Sequence, residues 1–227
     1  MPLRADDDDA PTPTREAERL ARKARRQEGR RRAVLRAARE VVVADGLGFT
    51  MDRVAAEADV SKPALYYYFR SKEALVTALA IEILRSEVEG VARAIVEAPG
   101  ALEAIAALVR ARVERYADDP DAFRILYLWA PVLGIDEASQ LTEIVPLTEV
   151  VIHTLEQRLE RERRRRPAPI AASVDARRLA TITWTTAQGV LAAALGMGAA
   201  PTPYSIDELA DEAIRTLLRA ARSSATS

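Results

Sequence analysis

The sequence predicts an all-α fold, in which an N-terminal three-helix domain containing a helix-turn-helix is joined by a long helix to a larger helical domain. Three observations support this prediction. Apolar residues recur at helical spacing along most of the chain, and residues that cap helices precede several of these segments. No segment alternates apolar and polar residues as a half-buried strand does. Pro and Gly mark the breaks between segments.

The composition limits the chemistry that the chain can perform. Of its 227 residues, 49% are hydrophobic and 30% are charged, which is typical of a globular protein long enough to bury a core. The absence of cysteine excludes disulfides, thiolate zinc sites and cysteine nucleophiles, and the single histidine, His153, excludes a multi-histidine metal site. We therefore expect no metal and no other cofactor. The first residues lack the apolar core of a signal peptide, so we expect a cytoplasmic protein.

Positive charge is concentrated near the N-terminus. Residues 19–72 carry 14 Lys and Arg against 6 Asp and Glu, a local charge of +8, so the rest of the chain carries −9 to give the total of −1. A positive segment on a negative chain favours a polyanionic partner for that segment alone. The alternative is that these charges form solvated helix faces without a partner.

Residues 1–28 are predicted to form an acidic and then basic tail that is disordered or partly helical, because they contain few apolar residues to bury. The run from Asp6 to Asp9 is followed by two prolines and then by an Arg-rich stretch that starts at Arg19. Two interpretations stay open: the tail follows a DNA backbone, or it only increases solubility.

The helical pattern begins at Arg30, where apolar residues line one side of a first helix that ends at Gly46–Gly48. A second helix follows Thr50, whose hydroxyl can cap it, and ends near Ala58. Asp59 makes the next turn at positive φ, which Asp tolerates better than most residues. Three short helices with a tight turn between the second and the third are the arrangement of a helix-turn-helix.

The third helix is predicted from Lys62 to about Phe69, after the capping residue Ser61. Leu65 and Phe69 lie one turn apart and face inward. A helix turns by about 100° per residue, so three consecutive tyrosines cannot all be core, and an exposed phenol can donate to a phosphate oxygen. Lys72 and the amides of the capped helix starts add phosphate contacts. The side chains left for a DNA groove and its walls are Lys62, Pro63, Ala64, Tyr66, Tyr67 and Tyr68.

The run from Thr50 to Leu75 resembles the signature of TetR-type repressors, and the resemblance spans residues 30–76. That signature has a capping Thr, an apolar-Ala pair, a Gly-Val turn, a Leu-Tyr-x-His-Phe stretch and a following Lys. The chain departs from it at Asp59, where glycine is usual, and at Tyr68, where histidine is commonest.

The resemblance implies a DNA-binding domain at residues 29–76 of a repressor that binds a palindromic operator in double-stranded DNA and is released by a small-molecule effector. It implies that Thr50, Tyr66, Tyr68 and Lys72 contact phosphates and that Lys62, Pro63, Ala64 and Tyr67 face base edges. Arg53 would lie near the backbone. Ala64 lacks a hydroxyl, so it offers methyl contact, as to thymine.

Residues 77–222 are expected to form the effector-binding and dimerisation domain that the resemblance implies. Ser71 caps a long helix that runs to about Glu97, and further helices are predicted at 101–117, 121–133, 140–165, 174–198 and 206–221. The homodimer is expected to form through the helices near 140–165 and 174–198. The effector pocket has these candidates: Tyr116, Phe123, Tyr127, Trp129, His153, Trp184 and Gln188.

Each pocket candidate has an alternative role in ordinary packing, and His153 is more simply a satisfied or exposed side chain. Such pockets are mainly apolar with a few polar anchors, so we expect an uncharged or weakly polar ligand. The arginines from Arg158 to Arg166 form a solvated helix end or, less simply, a second nucleic-acid surface.

Three other interpretations were weighed. The stretch from Leu179 to Ile206 has no charged residue, but its threonines, glycines and Gln188 favour an interface helix over a membrane span. We do not expect an enzyme, because G-x-G-x-x-G, P-loop, HExxH and G-x-S-x-G motifs are all missing. A DNA-binding regulator without an effector shares the same N-terminal domain and stays open.

Overall fold

The computed structural model of the chain describes residues 15–135, 139–164, 170–195 and 202–222. Within these ranges the chain forms helices and turns and no strand, which confirms the predicted all-α class. The chain divides into two compact units, one ending at Arg70 and the other beginning at Ser71.

The first unit contains three helices, α1 (Arg15–Asp45), α2 (Met51–Glu57) and α3 (Lys62–Tyr68), with a 3₁₀ turn at Gly46–Gly48 after α1. Its buried side chains come from the second half of α1 and from the two short helices. They include Val34, Leu35, Ala38, Val41, Val42, Phe49, Val54, Leu65 and Phe69.

The first helix is longer than its apolar pattern predicted. We expected helical structure from Arg30, whereas α1 begins at Arg15. Apart from Gly29, the added turns consist of good helix formers, and two ion pairs at i,i+4 spacing support them, Glu18–Arg22 at 3.6 Å and Glu28–Arg32 at 3.0 Å. Apolar periodicity detects helices that bury one side. It therefore did not detect the first half of α1, which is exposed on every side. Residues 1–14, where the acidic run of the predicted tail lies, are outside the described residues.

The second unit is built from long helices joined by short ones. Its elements are α4 (Lys72–Glu97), α5 (Ala101–Asp118), α6 (Pro120–Phe123), a π-helical turn (Arg124–Trp129), α7 (Ala130–Leu133), a second π-helical turn (Gln140–Ile144), α8 (Val145–Arg163), α9 (Ala176–Ala194) and α10 (Ile206–Arg222). α4 packs against α5 and α8, while α9 packs against α5, α8 and α10.

Side chains cap the starts of these helices. Ser71 Oγ accepts a hydrogen bond from the backbone N–H of Ala74 at 3.1 Å, and Asp175 Oδ1 accepts one from Arg178 at 2.8 Å. At α10, the Ser205 hydroxyl oxygen accepts from the backbone N–H of Glu208, and the Glu208 carboxylate accepts from the N–H of Ser205. This reciprocal pair is a capping box, and it fixes where the last helix begins.

Two segments that we predicted as continuous helices contain wide turns. The π-helical turn Arg124–Trp129 lies shortly before Pro131, and the turn Gln140–Ile144 lies shortly before Pro146. A proline inside a helix has no N–H to donate, and its ring crowds the carbonyl four residues earlier. A locally wider turn relieves that crowding, so the helical path continues past each proline.

Most of the apolar residues of α8 are buried within the protomer. Val151, Leu155 and Leu159 are completely buried, whereas Val145 is 42% exposed and Leu147 is half-buried. None of the helices in the described ranges combines the length and the hydropathy that a bilayer crossing needs.

Candidate nucleic-acid interface and buried polar cluster

α2 and α3 form the predicted helix-turn-helix. Thr50 Oγ1 accepts a hydrogen bond from the backbone N–H of Arg53 at 3.3 Å, and Ser61 Oγ accepts one from that of Ala64 at 3.3 Å. Each cap satisfies an amide that a helix start leaves unpaired. The turn between the helices places Asp59 at φ 51°, in the left-handed region, which confirms the prediction for that residue.

Two buried side chains determine which side of α3 faces outward. Leu65 is 0% exposed and Phe69 is 3% exposed, so the prediction that they face inward is confirmed. The guanidinium carbon of Arg31 in α1 lies 5.2 Å from the centre of the Phe69 ring. Since these contacts occupy one side of a seven-residue helix, the remaining side chains of α3 are directed toward solvent.

The outward side of α3 is rich in aromatic hydroxyls. Tyr67 is 71% exposed, Tyr66 is 40% exposed and Tyr68 is half-buried. The rings of Tyr67 and Tyr68 meet edge to face with their centres 5.3 Å apart. The other candidates on this helix also reach the surface: Lys62 and Pro63, which are exposed, and Ala64, which is half-buried.

Carboxylates lie beside two of the predicted DNA contacts, a feature that the sequence analysis missed. Lys62 Nζ lies 2.7 Å from Asp52 Oδ1, and Arg53 Nε lies 3.0 Å from Asp45 Oδ2. The hydrogen bond to Asp52, and then the charge of that carboxylate, raise the pKa of Lys62. Lys62 is therefore fully protonated at neutral pH, but part of its field is cancelled before any phosphate or base approaches.

Two predicted phosphate contacts lie at helix starts. Thr50 is exposed and is the N-cap of α2, while Lys72 is the first residue of α4 and is half-buried. Thr50 therefore belongs to the first unit and Lys72 to the second. The phosphate role of each residue stays a prediction.

The second unit contains a buried ion pair. Glu87 of α4 and Arg112 of α5 are both 0% exposed, and Arg112 Nε donates to Glu87 Oε1 at 2.5 Å. Burying two charges removes a large hydration energy, so such a pair persists only where further hydrogen bonds satisfy both groups.

The remaining donors of Arg112 contact two further elements. Nη1 donates to the backbone oxygen of Trp184 at 3.2 Å, and Nη2 donates to the Tyr127 hydroxyl at 2.8 Å and to Gln188 Oε1 at 2.7 Å. The guanidinium carbon also lies 3.9 Å from the centre of the Trp184 ring, within cation–π range. Arg112 thus links α5 to α9 and to the π-helical turn that carries Tyr127.

The second carboxylate oxygen of Glu87 accepts hydrogen bonds from two phenols. The Tyr116 hydroxyl donates to Oε2 at 2.5 Å and the Tyr127 hydroxyl donates to it at 3.2 Å. Phe123 packs against both rings, with centres 5.3 Å from Tyr116 and 4.9 Å from Tyr127. Both oxygens of the carboxylate are therefore satisfied. We call Glu87, Arg112, Tyr116, Tyr127 and Gln188 the polar cluster.

The environment holds these groups in fixed protonation states. Burial raises the pKa of the Tyr116 hydroxyl, and the Glu87 charge raises it further; the same two influences raise the pKa of Tyr127. Burial alone lowers the pKa of Arg112, but the charge of Glu87 and the two phenols outweigh it, so the pKa is raised. The tyrosines therefore stay neutral donors and the guanidinium stays charged.

The structure brings five of the seven predicted pocket residues together: Tyr116, Phe123, Tyr127, Trp184 and Gln188. Trp129 is half-buried in the same π-helical turn as Tyr127. His153 lies apart, on the exposed side of α8, where its ring nitrogens lie 3.3 Å from Glu156 and 2.8 Å from Gln157.

The sequence analysis missed Glu87 and Arg112, although the sequence contains a signal for both. Arg112 lies four residues after Leu108 and four before Tyr116, and Glu87 lies four before Val91. Each charge therefore occupies a position on the apolar side of an amphipathic helix. A charged residue there is buried, and a buried charge needs a partner.

The sequence model of the family described as bacterial regulatory proteins, tetR family, matches residues 34–79. This segment includes α2 and α3 together with the second half of α1 and the start of α4. No curated protein matches the chain.

Several solved structures share the fold over most of the chain. FadR from Bacillus subtilis, solved with stearoyl-CoA, is 18% identical with a TM-score of 0.66, and the match covers 83% of this chain and 97% of FadR. A regulatory protein in the tetR family from Rhodococcus RHA1 is 19% identical with a TM-score of 0.64, covering 86% and 98%. AibR, solved with isovaleryl coenzyme A and operator DNA, is 18% identical with a TM-score of 0.59, covering 83% and 98%. At sequence identities this low, the comparisons show a common fold alone.

The buried ion pair predicts strong coupling between its two residues. Arg112→Met is expected to lower the free energy of unfolding by about 3–5 kcal/mol, because it leaves the Glu87 carboxylate buried without its cation. The double variant Arg112→Met with Glu87→Leu is expected to lose at least about 1 kcal/mol less than the sum of the two single variants. Urea denaturation of the full chain measures all three.

Arg110→Met is the matched control, because Arg110 lies on the same helix with 61% of its side chain exposed. It is expected to change the free energy of unfolding by no more than about 0.5 kcal/mol. Additive effects of the two cluster substitutions would contradict the assignment of Glu87 and Arg112 as a coupled pair.

Proposed function

We propose that the chain, whose residues 34–79 match the sequence model of the tetR family of bacterial regulatory proteins, is a transcriptional repressor that binds a palindromic operator as a homodimer. A small-molecule effector releases it from the operator. We place it in the cytoplasm, and we propose binding, not catalysis, as the activity of the second unit. The observation that carries this proposal is the outward, tyrosine-rich side of α3 in a segment with a local charge of +8.

In this proposal α3 enters the major groove. Tyr67, the most exposed of the three tyrosines, contacts base edges together with Lys62, Pro63 and Ala64. Thr50, Tyr66, Tyr68 and Lys72 contact phosphates, and Arg53 lies near the backbone. Two copies of α3, related by the dimer axis, read half-sites about 34–36 Å apart.

We propose that α8 and α9 form the dimer interface. The exposed residues of α9 recur at helical spacing, at Arg178, Ile182, Thr185 and Gly189, and Ile182 is 46% exposed. On α8, Val150 is 49% exposed. Ile182 and Val150 are exposed apolar side chains, and the small residues Thr185 and Gly189 on the side of Ile182 allow close approach of two helices.

We propose that the effector binds beside the polar cluster. The aromatic side chains around Arg112 supply apolar surface, and Gln188 supplies a polar group at the edge of the cluster, since it is half-buried. FadR and AibR were solved with acyl-CoA thioesters, so we propose acyl-CoA thioesters as the ligand class to test first on this chain. The acyl chain of such a ligand is apolar, but its coenzyme A part carries ionised phosphates, so this class departs from the uncharged or weakly polar ligand that the sequence predicted. Release follows if the effector binds one conformer better than the other.

The proposed DNA interface predicts a different effect for each member of the ion pair between Lys62 and Asp52. Lys62→Ala is expected to change the sites selected from random duplex DNA, because it removes a base contact. Asp52→Asn is expected to tighten binding to all duplexes by roughly two- to five-fold, because it frees Lys62 and removes a charge that repels phosphates. Site selection and fluorescence anisotropy measure these effects.

Glu57→Gln, which removes one exposed carboxylate from the same helix, is the control for the Asp52 variant. It is expected to tighten binding less than Asp52→Asn does. Unchanged site preference in Lys62→Ala would remove Lys62 from the base-reading residues, and failure of the unmodified chain to select any site would contradict the proposed function itself.

The dimer interface predicts that a charge at its centre separates the protomers. Ile182→Arg is expected to shift the protein from dimer to monomer in sedimentation experiments, because the added guanidinium would be buried without a partner. Val96→Arg is the matched control, since Val96 is 63% exposed and lies on α4, outside the proposed interface. A dimeric Ile182→Arg protein would place the interface elsewhere.

The effector site predicts stabilisation and release by the same compound. Stearoyl-CoA or isovaleryl-CoA is expected to raise the melting temperature of the protein and to release it from the selected duplex, since a ligand at about 100 times its Kd adds about 2.7 kcal/mol. Gln188→Leu is expected to weaken both effects, whereas Val96→Ala, an exposed change on α4 outside the proposed interface, leaves them unchanged. If neither thioester produces either effect, the acyl-CoA class is wrong for this chain.

A further inference from the structure

The first half of α1 extends beyond the core of its own unit. The buried residues of α1 begin at Val34, and every described side chain from Arg19 to Arg30 is exposed. Residues 15–32 contain nine Lys and Arg against three Glu. Since this segment buries no apolar surface, packing does not explain why the helix continues through it.

Four cations of this segment form one stripe. At 3.6 residues per turn, Arg19, Lys23, Arg26 and Arg30 fall within roughly 60° of one another around the helix axis. We call these four residues the basic stripe. Arg22 lies beside this stripe, whereas Arg25, Arg32 and Arg36 fall on the opposite side of α1.

The basic stripe faces the end of α3. A groove of about 600 Å³ lies between its four residues, with Arg22 and Gln27 beside them, and the rings of Tyr67 and Tyr68. Gln27 Nε2 donates a hydrogen bond to the Tyr67 hydroxyl at 3.2 Å, so the two helices meet directly at this place. One wall of the groove is therefore cationic, and the other is the exposed aromatic end of the proposed reading helix.

We propose that the basic stripe binds the phosphate backbone of the duplex on the flank of the site that α3 reads, and so lengthens the DNA contact without reading sequence. This inference rests on the proposed DNA-binding function. The dimensions fit: Arg19 to Arg30 spans about 16 Å along the helix, and one DNA strand has a phosphate about every 3.4 Å of duplex axis. The basic stripe is therefore long enough to contact several phosphates of one strand. Tyr67 belongs to both surfaces, so the flank contact is continuous with the groove contact.

The test compares two triple variants of the full chain. The stripe variant carries Arg19→Gln, Lys23→Gln and Arg26→Gln, and the control variant carries Arg25→Gln, Arg32→Gln and Arg36→Gln on the opposite side of α1. Both remove three charges, and Gln keeps a helix propensity close to that of Arg and Lys. Circular dichroism verifies that helix content is retained in both variants.

The measured quantity is the dependence of DNA affinity on salt concentration. It is measured with two duplexes: a long one with flanks on both sides of the selected site, and a short one trimmed to that site. Each lost phosphate contact lowers the slope of log K against log salt by about 0.9, so the stripe variant is expected to lose about 2–3 units per protomer on the long duplex. On the short duplex it is expected to lose less than about one unit. The control variant is expected to keep most of the slope on both, and neither variant changes site preference.

Equal losses for the two triple variants, or equal losses on the two duplexes, would overturn the flank contact and leave only a general effect of net charge. An unchanged slope in the stripe variant would overturn it as well. These outcomes differ from failure of the proposed function, in which the unmodified chain selects no site at all.

Discussion

The first unit depends on the anchoring of a helix that is too short to form alone. α3 has seven residues, and isolated helices of that length are not stable in water. It persists because Leu65 and Phe69 are buried on one side and Ser61 caps its first turn. The same anchoring decides what the helix presents, since a side that is held by the core leaves Tyr66 and Tyr67 outside. The surface proposed to read DNA follows from how α3 is held.

The second unit is constrained by charge. Glu87 and Arg112 are completely buried, and the hydrogen bonds that satisfy them connect α4, α5, the π-helical turn and α9. A buried pair of this kind is weak evidence of stability, because apolar residues of similar size often do as well. Its consequence is geometric. A small displacement of any one of these elements leaves a buried charge unsatisfied, so they shift together or not at all.

The sequence predicted what depends on local pattern and missed what depends on pairing between distant segments. The caps at Thr50, Ser61 and Ser71 and the turn at Asp59 are short-range features, and the structure has all four. Apolar periodicity located the long helices within a few residues. It overlooked the exposed half of α1, which has no apolar side, and the wide turns before prolines. The polar cluster joins residues up to about a hundred positions apart, so its three aromatic and amide members were predicted as separate candidates, and local pattern did not connect them through Glu87 and Arg112.

α4 contains both a predicted phosphate contact and the carboxylate of the polar cluster. Lys72 begins the helix and Glu87 lies fifteen residues later, a separation of about 22 Å along one continuous helix. If the effector binds beside the polar cluster as proposed and displaces a hydrogen bond of Glu87, it acts on the same helix that begins at Lys72. Coupling of this kind requires that one rigid element has two arrangements. It does not require a chain of small displacements between the two sites. Arg112 Nε, the Tyr116 hydroxyl and the Tyr127 hydroxyl each donate to Glu87, so a ligand that replaces any one of these three hydrogen bonds releases the carboxylate from that partner.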